Sequence, residues 1–197
     1  MASTPAPDER PLTFTERARR AQLIEVTIDL VAANGYAGTS LARIAQGAQI
    51  TKAAVLYHYP SKDAVVQAAY QHVLVSLVTT VGSAVERAGP GEGPAAYIRS
   101  MIGHLREHPH HTRMIVEAVT NQHQDDDRSQ RWRNLAEIMA VARRERGLAA
   151  DGNLRTTAIM IGGAINGIVG ERMADPDYDT AAAAEELVQM TELVLFA

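Results

Sequence analysis

The chain has 197 residues, 46% of them hydrophobic and 21% charged, with a formal net charge of −4 and no cysteine. That balance excludes disordered and fibrous classes, and the missing thiols exclude disulfide scaffolds, cysteine nucleophiles and thiolate zinc sites. The charge is unevenly placed: seven Lys/Arg face five Asp/Glu up to Lys62, twelve face eighteen beyond it, and the only two lysines, Lys52 and Lys62, close the basic part.

Residues 1–12 mix three prolines with charges and lack an apolar core, which predicts a flexible tail and no signal peptide. From Thr13 to Asn34, Leu23, Ile24, Ile28, Leu30 and Val31 keep a helical period, and Gly35 supplies the stop. Thr39 or Ser40 offers a hydroxyl to cap a short helix from Leu41 to about Gln46. After Gly47-Ala48-Gln49-Ile50 a second short helix starts near Thr51 and stops before Pro60. Ser61 begins a long helix. Residues 64–85 are uncharged and long enough to span a bilayer, but Gln67, Gln71, His72, Ser76, Thr79 and Thr80 are too polar for hydrocarbon. Val66, Ala69, Tyr70, Val73, Leu77, Val81 and Val85 fall on one face, so a soluble helix with one buried stripe, and no membrane partner, is expected.

Further breaks stand at Gly89-Pro90-Gly91, His108-Pro109, Gln124–Asp127, Gly147–Asn153 and Asp175–Asp179, with helical-length segments between them. No segment alternates with period two. The expected fold is all-α with about nine helices: a three-helix head over residues 13–60, and a helical body over 61–197.

Two short helices joined by a four-residue turn, with a third behind them, form a helix-turn-helix, which works by presenting one helix to the major groove. Leu41, Ile44, Ala45, Ala48, Ile50 and Val55 supply its inward set, and Thr51, Lys52, Ala53, Tyr57 and His58 its outward set. The outward alanines allow close backbone approach and contact with thymine methyls. The stretch AANGYAGTSLARIAQGAQITKAAVLYHYPSKDAVV, within a match running from about Thr15 to Tyr70, resembles the DNA-binding head of the tetracycline-repressor (TetR) family of bacterial transcription regulators. The resemblance is carried by Asn34-Gly35-Tyr36, Thr39-Ser40, Ile44-Ala45 and the run Tyr57 to Asp63 at their joint spacing.

That resemblance implies roles. Thr39 and Ser40 would touch a phosphate, Thr51, Lys52, Ala53 and Ala54 would face bases, and Tyr57 and His58 would grip the backbone. Lys62 would reach a phosphate and couple body to head. Tyr59 matches a buried aromatic of the family. Leu56 stands where the family commonly has a phosphate-binding tyrosine, Ala42 replaces a frequent arginine, and Gln49 replaces a frequent turn glycine.

In the body, Gly163, Gly167 and Gly170 recur along one helix, each costing up to about 1 kcal/mol against alanine. With Leu187, Val188, Val194 and Leu195 they resemble the two C-terminal helices that pair in the family's homodimer; tight packing inside one subunit is the alternative. Met101, Ile102, Leu105, Met114, Trp132, Leu135, Met139 and Met160 form a flexible apolar set, either plain core or the lining of a pocket for a largely apolar small-molecule effector. His104, His108, His110 and His111 read as surface or pH-titrating residues rather than a metal site. No nucleophile elbow, phosphate loop or paired-carboxylate motif is present, so no enzyme, cofactor or metal is expected. The implied protein is a cytoplasmic homodimer on double-stranded palindromic operator DNA, a repressor released by its effector.

Overall fold

The computed structural model describes residues 11–121, 128–150 and 153–196. Residues 1–10 of the expected tail and the break at Gln124–Asp127 lie outside them. Among the described residues there are nine α-helices, one short 3-10 helix and no strand, as expected: α1 (Phe14–Gly38), α2 (Leu41–Gly47), α3 (Lys52–His58), α4 (Lys62–Ala88), the 3-10 turn Pro90–Glu92, α5 (Gly93–Glu107), α6 (Pro109–Asn121), α7 (Arg128–Glu145), α8 (Leu154–Ala174) and α9 (Thr180–Phe196). The chain divides into two compact units, residues 1–71 and 72–197.

In the first unit, α1 opens on a capping box: the Thr13 hydroxyl accepts the Glu16 N–H while the Glu16 carboxylate accepts the Thr13 N–H. Gly35 leaves helical geometry at φ 68°, where the stop is expected, although hydrogen-bonded turns continue to Gly38. Leu23, Ile44, Val55 and Val65 are fully buried together with Ala45, Ala48 and Tyr59. At about 1.5–3 kcal/mol for each large apolar side chain removed from water, this cluster holds α2 and α3, two seven-residue helices that could not persist alone. Gly47 is the point of closest approach, since a Cβ there would sit 2.7 Å from Val26 Cγ1. The sequence pattern ends the head at residue 60; by packing the unit reaches Gln71, because Val65 on α4 belongs to its core.

Helix α4 is long and apolar enough to cross a membrane by length and composition alone. Its buried residues Val66, Ala69, Tyr70, Val73, Leu77 and Val81 nevertheless follow one helical stripe, while Val75 and Val78 stay exposed. In the second unit α5 packs against α7, α8 and α9, and α7 against α8. Their shared core holds Ile98, Ile102, Leu135, Met139, Ile161 and Ile165. Arg99 on α5 makes a two-pronged ion pair with Glu185 on α9, 2.7 Å at each prong, which holds the Glu185 carboxyl below its ordinary pKa.

Three sequence expectations for the body are corrected here. Leu187, Val188 and Leu195, expected at a subunit interface, are buried in the chain's own core at 8%, 3% and 1% exposure. The apolar set does not converge on one cavity: Ile102, Leu135, Met139 and Met114 are buried, Met101, Leu105 and Trp132 are half-buried against the core, and Met160 is 60% exposed. His104 is not at the surface but 3% exposed, with its ring centroid 4.5 Å from that of His108 and 5.9 Å from that of His111. No group of three or more His, Asp or Glu among the described residues could hold a metal ion.

Candidate nucleic-acid interface

Helix α3 has only seven residues and is positioned by caps and by α1. Thr51 caps it, its hydroxyl accepting the Ala54 N–H at 3.1 Å. Val55 turns inward, fully buried, and Tyr59 follows it into the core at 3% exposure, where burial pushes its phenol pKa up. Thr51, Lys52, Ala53 and Tyr57 are exposed on the opposite side, Tyr57 at 70%. Ala54 and His58 are half-buried. The predicted outward face is thus an assembled surface with one ammonium, one hydroxyl and one protruding phenol.

Helix α1 ties α3 at its C-terminal end by two bonds. The Tyr57 hydroxyl donates to Glu16 Oε1 at 3.0 Å, so one carboxylate serves both the α1 cap and α3. Arg20 donates to the His58 carbonyl at 2.9 Å and lies 4.3 Å from the centre of the Tyr59 ring. Burial, then Arg20 and Arg19, lower the His58 pKa, with Glu16 opposing them, so the ring favours its neutral form without DNA.

Ahead of α2, Ser40 rather than Thr39 is the cap: the Ser40 hydroxyl accepts the Arg43 N–H at 3.3 Å, and Ser40 is exposed. Its O–H proton remains available to a phosphate oxygen. Thr39 corrects the sequence reading. It is 2% exposed and its hydroxyl donates to the Gly35 carbonyl at 2.9 Å, so it locks the α1–α2 turn and does not face a ligand.

Lys62 lies at the junction of α1 and α4. Its Nζ donates to the Tyr36 carbonyl at 3.0 Å and sits 3.7 Å from the centre of the Tyr36 ring. The Tyr36 hydroxyl in turn donates to Asp63, which raises its pKa. The three residues staple the end of α1 to the start of α4, leaving Lys52 as the lysine that is open to solvent. The sequence reading passed over Arg43 and Arg17, which are exposed cations of the same unit. Arg43 is steadied by the Gly38 carbonyl at 2.7 Å and Asn34 at 3.3 Å. Its place one turn behind the Ser40 cap was the available clue.

On the body, Gly163, Gly167 and Gly170 are exposed, and a Cβ at any of them would meet nothing within 4 Å. Tight packing inside the chain therefore does not explain them. They share α8 with exposed Ile159 and Met160, and α9 exposes Met190, Leu193 and Val194 at 64%, 72% and 59%. Among the clefts of this unit are an open one of about 580 Å³ between the end of α4, Pro90 and α7, and a smaller one of about 270 Å³ where α5, α6 and α8 meet. Of the predicted pocket residues, Ile102 and Leu105 line the smaller cleft and none lines the larger.

Residues 23–69 match the profile of the bacterial regulatory proteins of the tetR family. The chain is 36% identical over 84 residues to an HTH-type transcriptional regulator, BetI, of Burkholderia thailandensis, a match covering 43% of this chain and 42% of that relative's length. In structure it resembles a putative transcriptional regulator from Pseudomonas aeruginosa PAO1, with a TM-score of 0.77, 19% identity and 91% of each chain covered. It also resembles a TetR-like regulator from Rhodococcus sp. RHA1, with a TM-score of 0.74, 18% identity, and 95% of this chain and all of that one covered. At these identities the structural likeness is one of fold.

Proposed function

We propose that the chain, whose residues 23–69 match the tetR-family profile, is a DNA-binding transcriptional regulator of that family, acting as a cytoplasmic repressor on a palindromic operator. Residues 13–60 form its DNA-binding domain, and 61–197 its effector-binding and dimerisation domain. The observation that carries this reading is the exposed face of α3, fixed by Glu16 and Arg20 at one end and by its Thr51 cap at the other. Thr51, Lys52, Ala53 and Ala54 face base edges, and Ser40, Tyr57 and His58 hold phosphates and so set register. Lys62 keeps the α1–α4 junction in place.

The uncovered apolar faces of α8 and α9 support a homodimer, since a contiguous apolar patch on a soluble chain marks an interaction site. Gly163, Gly167 and Gly170 let the partner's helix come close, and Val194 joins Met190 and Leu193 in the patch. Two heads spaced one helical turn apart, about 34 Å, read a palindrome. A small-molecule effector that binds more tightly to the DNA-incompetent state lowers operator affinity by the same coupling free energy.

Footprinting and retention on DNA flanking the chain's own gene test this. A protected palindrome is expected, with affinity falling by about three orders of magnitude or more between 50 and 200 mM salt. Lys52→Ala is expected to cost about 1–3 kcal/mol in operator binding and to relax sequence choice at the base it faces. A flat salt response, or retention indifferent to Lys52, overturns the reading.

A further inference from the structure

The chain carries 19 Lys and Arg, and Lys52 and Lys62 are the only lysines among them. A guanidinium stays charged and inert toward activated acyl groups at neutral pH, whereas a lysine nitrogen attacks them once it gives up its proton. The two lysines stand in opposite surroundings. Lys62 is half-buried, with its Nζ donating to the Tyr36 carbonyl at 3.0 Å and lying 3.7 Å from the centre of the Tyr36 ring. To act as a nucleophile it must first leave both. Lys52 is exposed at the first position of α3, and among the described residues no hydrogen bond or ion pair ties it. Helix α3 contains no acidic residue, and the neighbours Thr51 and Ala53 are short and exposed.

A simpler explanation makes Lys52 a cation for DNA and nothing more. Arginine would serve that purpose at least as well, because its fork pairs with two acceptors on a guanine edge. The chain also uses arginine to hold fixed partners: Arg20 on the His58 carbonyl, Arg43 on the Gly38 carbonyl and Arg99 on Glu185. What a lysine alone adds at position 52 is a nucleophilic nitrogen.

We propose that Lys52 is an acylation site, and that its modification by a small acyl phosphate shuts the DNA-facing surface of α3. Lys52 gives its proton to solvent, and its Nζ attacks the carbonyl carbon of the donor. An N–C amide bond forms, the C–O bond to phosphorus's oxygen breaks, and inorganic phosphate leaves. The product is neutral, so the ammonium that faces the bases is lost. The donor is an anion, and the seven Lys/Arg against five Asp/Glu up to Lys62 favour its approach. The regulatory consequence rests on the DNA-binding reading above. Operator and donor compete for one side chain: bound DNA shields Lys52, and a chain that comes off while the donor is abundant returns with lower affinity.

Incubation of the full chain with acetyl phosphate, followed by peptide mass mapping over time, tests the assignment. In the folded chain Lys52 is expected to gain an acetyl group about ten-fold or more faster than Lys62, and in urea the two rates should converge. DNA flanking the chain's own gene should slow the reaction at Lys52. The acetylated chain should hold that DNA about ten-fold or more weakly, the loss expected for a base-facing cation. Lys52→Arg, which cannot be acetylated at that position, should show the same retention before and after treatment. Equal rates for the two lysines in the folded chain, undiminished retention after acetylation of Lys52, or a loss of retention in treated Lys52→Arg overturns the proposal. The rate comparison involves no DNA, so a lack of retention in the untreated chain strikes the regulator reading, while equal rates strike this one.

Discussion

Gln49 holds the turn between α2 and α3 at φ 56°, the left-handed region that costs a residue with a Cβ about 1–2 kcal/mol. Gln49→Gly removes that strain but frees the unfolded chain, so the net gain is expected to be about 0.5–1 kcal/mol. The urea midpoint should rise accordingly; a lower midpoint would mean the Gln49 side chain does more than occupy the turn. His104 gives the opposite case. It is 3% exposed, its Nε2 has no hydrogen-bond partner, and burial first, then His108 and His111, pushes its pKa down, with Glu107 opposing. Above the ordinary histidine value of about 6.5 both folded and unfolded states are neutral, and the shift contributes nothing. Below it the unfolded chain takes up a proton that the folded site resists, so stability falls as the pH drops. His104→Gln does not titrate and is expected to flatten the stability profile between about pH 7 and pH 5. If urea unfolding of that variant keeps the wild-type slope, the acid sensitivity belongs to other groups.

At the scale of elements, α3 depends on α1 more than on itself, because an isolated helix of its length is unstable. Thr13→Ala removes the capping box, at a cost of about 1 kcal/mol. It also releases one side of the Glu16 carboxylate that holds Tyr57. A lowered melting temperature together with weaker operator retention is expected; loss of stability with unaltered retention would show that α3 needs no such support. The helices and the turn were readable from spacing, capping residues and the place of Pro60, and the burial of Tyr59 from the family resemblance. The bonds from Tyr57 to Glu16 and from Arg20 to the His58 carbonyl were not, since each joins residues some 40 positions apart and no local pattern marks a distant partner. Thr39 was misread for a related reason: sequence gives the hydroxyl, but not the nearby Gly35 carbonyl that takes its proton. In α9 two apolar faces occur on one helix, and periodicity alone did not say that Leu187, Val188 and Leu195 turn inward while Met190, Leu193 and Val194 turn outward.

For the whole molecule, the apolar faces of α8 and α9 are an unbalanced feature of the described residues. Leu193, 72% exposed, can be changed without disturbing the chain's own core. Leu193→Asp would place an unpaired charge in the proposed interface, at a cost of about 2–4 kcal/mol in dimer affinity. Light scattering should then show a helical monomer, with operator retention falling because a lone head reads half a palindrome. An unchanged dimer mass would move the interface elsewhere.

The chain's lysine arithmetic has a practical side. Lys62 is clamped over the Tyr36 ring, whereas Lys52 stands open in the first turn of α3, and no cysteine occurs anywhere in the sequence. Reagents aimed at side-chain amines therefore find one accessible address, on the very surface whose occupancy matters. A fluorophore or an aldehyde-bearing oligonucleotide can be fixed there in the natural chain, and a thiol introduced elsewhere would accept a second, chemically independent tag.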